Sequence, residues 1–468
     1  MPRMIVAVAL DLGTTTIKAG LLAADGTLGG VVARPAPAIV ADGGRYESDA
    51  AAYAEAVELV LTGCLTQTDT RPPLGLCSQR SSFLIWERGS GRPVTPLISW
   101  QDDRGAESCV ALRERAPLIR ELAGLPLTPY YLAPKLRGLL QQHADWRERL
   151  LHGDWLLGTL DTFLVWRWTD GAQHLTDVSM AARTLLLDVY SRQWSPRLCD
   201  LFDVPQHILP QIRPSAGMRL PLNNGLILQA SMGDQSAALL AGIGTGQPEA
   251  LVNLGTGGFV ACYLPAGRSV PDGYLQTLVC QISMEQPLLA CEGTLNSIAA
   301  ALAPFPVDAC APEGLANDGI FCLAEPSGLG APYFRNDLGI TFSESVDELP
   351  ARRIALLLQE GIAFRVARIL EDFRREFGIT RAYLSGGLAN LPCLQQGVAQ
   401  SVPLDIYRLR QTDAGLSGAA RLAAGMPLAG GRDAERIVPT RPGHGVAGKY
   451  ARWKGWLDGL LSARDGRG

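Results

Sequence analysis

A short repeat constrains this chain more than any other feature. DLGTTTIKAGLL (11–22) aligns with NLGTGGFVACYL (253–264) with five identities in twelve positions, at an offset of 242 residues. Each copy is an apolar run, a polar Gly-Thr turn and a second apolar run, the pattern of a strand–turn–strand unit. The first copy closes at the turn Asp25-Gly26. A unit repeated at this spacing implies two similar halves with a boundary near GIGTGQPEA (242–250). The expected organisation is a domain over 1–244, a second over 245–430 and a Gly- and Arg-rich tail over 431–468 with room for a terminal helix near 450–463.

Each half alternates strands with helices. Residues 50–66 and 105–123 read as helices, and CSQRSSFLIW (77–86) as one strand leading to a turn at 87–92. In 354–377 the apolar Leu358, Ile362, Ile369 and Phe373 fall near helical spacing. RAYLSGGLANLPCLQQGVA (381–399) reads as strand, Gly-Gly turn and helix. The fold class is α/β, two duplicated domains with a central cleft, and 468 residues suit two or three domains.

Composition removes several classes of function. A net charge of −4, spread along the chain, offers no global positive field, so nucleic acid is not an expected partner. There is no apolar run of about 18 residues, so no spanning helix and no membrane partner is expected. MPRMIVAVALDLG faintly imitates a signal peptide, but Asp11 cuts its apolar stretch and a buried first strand fits better. The ten Cys form no CxxC pair, which fits free thiols in a reducing cytoplasm. The His residues at 143, 152, 174, 207 and 444 lack zinc-ligand spacing.

The chemistry concentrates where strands end. There is no GxxxxGK[ST] loop, and no GxGxxG opens a helix. Three Gly-rich turns follow strands instead: Gly13-Thr14-Thr15, Gly255-Thr256-Gly257-Gly258 and Gly386-Gly387. Such turns present backbone N–H groups and hydroxyls that can cradle phosphate oxygens, although a plain hairpin turn has the same composition. Asp11, just before the first turn, suits a magnesium ion held through water. Asp234 in ASMGDQSAALLAG (230–242) suits a helix N-cap, a general base for a substrate hydroxyl, or both. Gln79, Arg80, Trp100, Gln101, Asp102, Asp103 and Arg104 gather polar groups beside an indole, as a sugar or polyol site requires, although core packing for the Trp and a solvated helix start for the charges are the ordinary alternatives.

Eleven segments in order resemble the FGGY family of carbohydrate kinases, part of the actin-like (ribonuclease H-like) ATPase superfamily. They include VALDLGTTTIKAG (8–20), SQRSSFLIW (78–86), ISWQDDR (98–104), GLPLTPYYLAPKL (124–136), ASMGDQSAALLAG (230–242), NLGTGGFV (253–260) and LSGGLANLPCLQQ (384–396), and the resemblance runs from about residue 5 to 425. It implies two actin-like ATPase domains and phosphoryl transfer from magnesium-ATP to a hydroxyl of a small polyol or ketose. By position it implies Asp234 as catalytic base and Asp11 near the metal and phosphates. Gly13, Thr14, Thr15 and Lys18 match the first phosphate loop, Gly255 and Thr256 the second, and Gly386 and Gly387 the adenosine turn. The implied substrate pocket draws on Gln79, Arg80, Ser81, Trp100, Tyr130, Asp234 and Gln235.

Within the family the wording is nearest to glycerol kinases, with xylulose kinases next. Ser81 stands where glycerol kinases carry a Glu that bonds glycerol, and a short Ser leaves space for a longer acceptor. Xylulose kinases carry a Met-His pair that Arg80-Ser81 does not reproduce. Leu391 occupies a position where relatives carry Asn or Ser for the nucleotide, with Asn390 one residue away as a substitute. Lys135 keeps the family's Lys, whereas Gly138 replaces an expected Trp. A homo-oligomer is compatible with the family. The rival functions are a non-catalytic nucleotide- and sugar-binding regulator, or a polymerising protein of the same superfamily.

Overall fold

Strand pairing reproduces the repeat as architecture. A computed structural model describes residues 3–282, 287–335, 337–410, 413–428, 433–440 and 445–465; His444 and the boundary at residues 430–431 lie outside these. The described residues form two units, one drawn from Met1–Ala241, Gln276–Leu289 and Asp413–Gly431, the other from Gly242–Leu275, Ala290–Thr412 and Arg432–Gly468.

In the first unit the strand Ile5–Leu12 pairs antiparallel with Thr16–Ala23 and parallel with Leu74–Ser78. Thr16–Ala23 pairs antiparallel with Leu28–Pro35, and Leu74–Ser78 parallel with Ile227–Gly233. In the second unit Glu249–Leu254 pairs antiparallel with Gly258–Tyr263 and parallel with Arg381–Ser385. Gly258–Tyr263 then pairs antiparallel with Leu288–Leu295, and Arg381–Ser385 parallel with Asp405–Leu409. Numbered in chain order among the five strands just named, each sheet has the order 3-2-1-4-5, with one further strand flanking the first sheet and two flanking the second. The central parallel strands read as continuous apolar runs because both faces are covered. Val8, Ala9 and Leu10 are fully buried, as are Val252, Leu254 and Leu384.

Helices cover these sheets at distances set by small residues. Ala414–Ala424 (AGLSGAARLAA) lies so close to its sheet that a Cβ on Gly75 would sit 2.2 Å from the Ala419 carbonyl oxygen, and so close to the helix Asp234–Gly242 that one on Gly418 would sit 1.9 Å from the Ala237 carbonyl oxygen. In the second unit the helix Ala351–Phe377 turns Leu358, Ile362, Ile369 and Phe373, all fully buried, into the core, and ends at Gly378 in the left-handed region. The helix Gly445–Asp465 is fastened through the buried Lys449, which bonds Glu360 and Asp318, and through the Trp453 indole N–H to the Cys322 carbonyl at 2.9 Å.

Two segments differ from the pattern expected of them. Residues 77–86 are not one strand: Leu74–Ser78 and Phe83–Glu87 belong to different sheets, and the second pairs with Leu97–Ile98 and Trp155–Thr159. A continuous apolar pattern cannot reveal the left-handed Ser81 (φ 65°), where the chain leaves the first sheet. Residues 105–123 break into Ala106–Ala111, a 3-10 turn at Arg113–Arg115 and Ala116–Ala123, because Pro117 fits only a helix's first turn.

Gly418→Ala forces a methyl into backbone, and overpacking of this kind costs about 1–3 kcal/mol. A loss of that size in urea unfolding is the expected result, whereas Gly217→Ala, with open space around it but φ +73°, reports backbone strain alone.

Candidate active site

In open sheets, ligands bind beyond the carboxyl ends of parallel strands. In the first unit three adjacent parallel strands end in register, Leu12 opposite Ser78 and Ser78 opposite Gly233. Gly13, Gln79 and Asp234 follow at that edge, so residues far apart in sequence emerge together.

Arg80 organises the edge. It is buried, and its stem lies over Gly233, where an added Cβ would meet Arg80 Cδ at 2.6 Å. Any side chain at position 233 would displace the arginine. The guanidinium Nε stands 3.8 Å from Asp234 Oδ1, and Nη2 donates to Gln235 Oε1. Asp234 opens the helix Asp234–Gly242, and its Oδ1 accepts the Gln235 backbone N–H at 2.8 Å. Its side chain is 35% exposed. Burial raises its pKa, opposed by Arg80, the Gln235 N–H and Arg183. It is thus a carboxylate that solvent can reach and whose proton affinity exceeds that of a free aspartate.

Asp11 lies near the end of Ile5–Leu12, on the far side of Leu74–Ser78 from the strand that precedes Asp234. Burial first, and the charge of Asp234 second, push its pKa up to about 7, with the Cys77 thiol and Lys18 opposing. Its Oδ1 is buried with no hydrogen-bond partner among the described residues. Lys18 is paired with Asp413 at 2.8 Å. The Tyr53 hydroxyl donates to the Gly13 carbonyl at 2.7 Å and holds the turn, while Thr15 is exposed.

A closed ring of hydrogen bonds carries the aromatic wall. The Trp100 indole N–H donates to Thr14 Oγ1 (3.0 Å), whose hydroxyl donates to Gln79 Oε1 (3.4 Å). Gln79 Oε1 also accepts Ser82 Oγ–H (2.8 Å), and Ser82 Oγ accepts the Trp100 backbone N–H (3.0 Å). The side chains of Thr14 and Gln79 therefore brace the wall. Tyr130 packs on Trp100 with ring centroids 5.3 Å apart. Behind them the fully buried Lys135 donates to the carbonyls of Ser99 (2.7 Å) and Trp100 (3.1 Å), and burial pulls its pKa down to about 7. Asp102 is engaged by Arg104 and the Tyr46 N–H, Asp103 and Gln101 are exposed, and Gly138 borders a cavity of about 180 Å³.

Ser81 sits differently from the other residues expected to line a substrate pocket. It is fully buried, and its hydroxyl donates to the Arg183 carbonyl at 2.9 Å. Arg183 itself, buried and felt by Asp234, was not singled out from the sequence, although HLTDVSMAARTLL (174–186) contains it. An Arg set among small and apolar residues in SMAARTLL was the available signal.

In the second unit, the turn after Leu254 and the turn after Ser385 are brought together. A Cβ on Gly386 (φ 87°) would stand 2.4 Å from the Leu254 carbonyl oxygen, so only glycine allows this approach. Thr256 is exposed and Gly387 has open space where a side chain would be. The Gly255 N–H bonds the Gly257 carbonyl at 2.8 Å. Asn390 ends a 3-10 turn and accepts from Arg408 at 3.4 Å, whereas Leu391 is buried in the apolar core.

Comparison with known proteins agrees with this arrangement. Residues 6–239 match the N-terminal domain, and residues 252–426 the C-terminal domain, of the FGGY family of carbohydrate kinases. The chain belongs to that family. It is 31% identical to a glycerol kinase of Rhodopirellula baltica over 96% of this chain and 90% of that one. Among solved structures, a Plasmodium falciparum glycerol kinase with ADP superposes with a TM-score of 0.81 at 21% identity, covering 90% of each chain. A xyloylose kinase from Brucella ovis gives 0.82 at 20%, covering 98% and 99%. The fold is the two-domain actin-like α/β architecture of these enzymes, and the protein is an ATP-dependent carbohydrate kinase.

Lys135→Met removes the ammonium that donates to the Ser99 and Trp100 carbonyls and leaves two buried carbonyls unmet, at about 1–3 kcal/mol each. The expected result is a higher KM for the phosphoryl acceptor with KM for ATP little changed, read from initial rates.

Proposed function

We propose that the acceptor is a small polyol or ketose and that Asp234 is the general base. The observation that carries this is the partly exposed Asp234 carboxylate beside Arg80, at the edge where three parallel strands end. The acceptor hydroxyl oxygen bonds to the γ-phosphorus as the bond to the bridging oxygen breaks, and Asp234 takes the proton. Arg80 holds the carboxylate and Gln235 in place, and the Trp100–Tyr130 face takes the apolar C–H side of the acceptor. The turns at Gly13-Thr14-Thr15 and Gly255-Thr256 are assigned to the phosphates and Gly386-Gly387 to the adenosine, with Lys18 and Asn390 as flanking contacts.

Magnesium fits at Asp11. Its unpartnered buried oxygen and raised pKa are relieved by a cation held through water. Such an ion neutralises charge on the transferring phosphoryl group. Among the described residues no group of three or more His, Cys, Asp or Glu converges, so water and nucleotide phosphates supply the remaining ligands. The domains proposed are 1–244 for acceptor, first phosphate loop and base, and 245–430 for second phosphate loop and adenosine. The compartment proposed is the cytoplasm, on ten free and largely buried thiols; no helix among the described residues is long and apolar enough to cross a membrane.

One observation favours a longer acceptor such as a pentulose over glycerol. The Ser81 hydroxyl is bonded to the Arg183 carbonyl and offers no carboxylate to a triol. ATP consumption against glycerol, erythritol, xylitol, ribitol, xylulose and ribulose tests both. The expected outcome is turnover best on a C4 or C5 acceptor, and a strict preference for glycerol returns the protein to the glycerol kinases.

Asp234→Asn is expected to lower kcat about 10²- to 10⁴-fold while ATP still binds, by calorimetry. ATP binding without turnover on any acceptor in the unmodified protein favours the regulator. Asp11→Asn is expected to raise the magnesium concentration needed for half-maximal rate, measured by titration at fixed ATP.

A further inference from the structure

The same packing that admits Arg80 leaves a weakness beside the base. Gly233 lacks a side chain because Arg80 fills that space, and glycine has the freest backbone of any residue. It is also the residue bonded directly to Asp234, so any play in its backbone moves the carboxylate.

A buried polar relay meets that weakness. The Gly233 N–H donates to Ser179 Oγ at 2.9 Å, and the Ser179 hydroxyl donates to Asp177 Oδ1 at 3.0 Å. Asp177 also accepts the N–H groups of Ser179 and Met180, each at 2.9 Å, and the Ser215 hydroxyl at 2.6 Å. Asp177, Ser179 and Ser215 are all within 1% of complete burial. Capping the short helix Val178–Ala181 requires only the Asp177 carboxylate and backbone donors. The bond from Ser179 to Gly233 is extra, and it crosses to the strand that ends in the base.

We propose that Ser179, oriented by Asp177, is a positioning residue for the catalytic carboxylate. It holds the glycine peptide next to Asp234, so that Asp234 and Arg80 keep their mutual geometry when the acceptor hydroxyl arrives. This rests on Asp234 being the base. Ser215 is the internal control, since its hydroxyl bonds the other oxygen of Asp177 and the Gln281 N–H but does not touch Gly233.

The test measures kcat and both KM values for Ser179→Ala, Ser179→Cys, Ser215→Ala and Asp234→Asn in the full-length protein, with thermal melts alongside. Small misplacements of reacting groups cost up to about 10²-fold. Ser179→Ala is therefore expected to lose about 10- to 100-fold in kcat with KM for ATP little changed. Ser179→Cys, nearly isosteric and a weak acceptor, should fall between it and the unmodified protein, and it substitutes for the alanine variant if that one does not fold. Ser215→Ala should keep kcat within about threefold even if its melting temperature drops. Equal kcat losses for Ser179→Ala and Ser215→Ala, or losses that follow melting temperature alone, overturn the proposal. If Asp234→Asn stays active, the base assignment fails; if Asp234→Asn is inactive and Ser179→Ala is normal, only the relay fails.

Discussion

Everything in the candidate site depends on where parallel strands stop. At the carboxyl edge of such a sheet the backbone loses its neighbours, and polar side chains and turns can collect there without disturbing the ladder. In the first unit three strands stop together and deliver the Gly13 turn, the Gln79-Arg80 break and Asp234 to one edge. Close packing behind the sheet keeps that edge level. The Ala414–Ala424 helix touches Gly75 and stands over Asp11, where a Cβ on Gly415 would be 3.2 Å from the carboxylate.

Charge is balanced locally and tightly at that edge. Two carboxylates, Asp11 and Asp234, stand close enough for the second to raise the pKa of the first, and buried Arg80 lies against only one of them. The imbalance separates their roles. Asp234 has a fixed cationic partner and solvent access, which suits exchange of a proton. Asp11 has an oxygen without a hydrogen-bond partner among the described residues, which suits a mobile cation.

Much of this was legible in the sequence, for a physical reason. Apolar runs flanking Gly-Thr turns report buried strands and the turns between them, so the duplicated halves and the residues at their strand ends could be read directly. What one dimension does not encode is the partner of each polar atom. Thr14 and Gln79 read as ligand groups, and nothing in one dimension shows that their side chains also close a ring with Ser82 and Trp100. Ser81 read as a pocket residue, yet a left-handed backbone turns its hydroxyl to Arg183. Asp177 and Ser179 are 56 and 54 residues from Gly233, so only the fold brings them to the residue before Asp234.

The shared strand order also allows the two copies to be compared position by position. Asp11, which pairs with Cys77 in one sheet, corresponds to Asn253, which pairs with Ser385 in the other. One strand end has kept a negative charge and the other is neutral. On one strand order, repeated twice, the exchange of Asp for Asn at a single register position changes the charge of a strand end without changing its backbone.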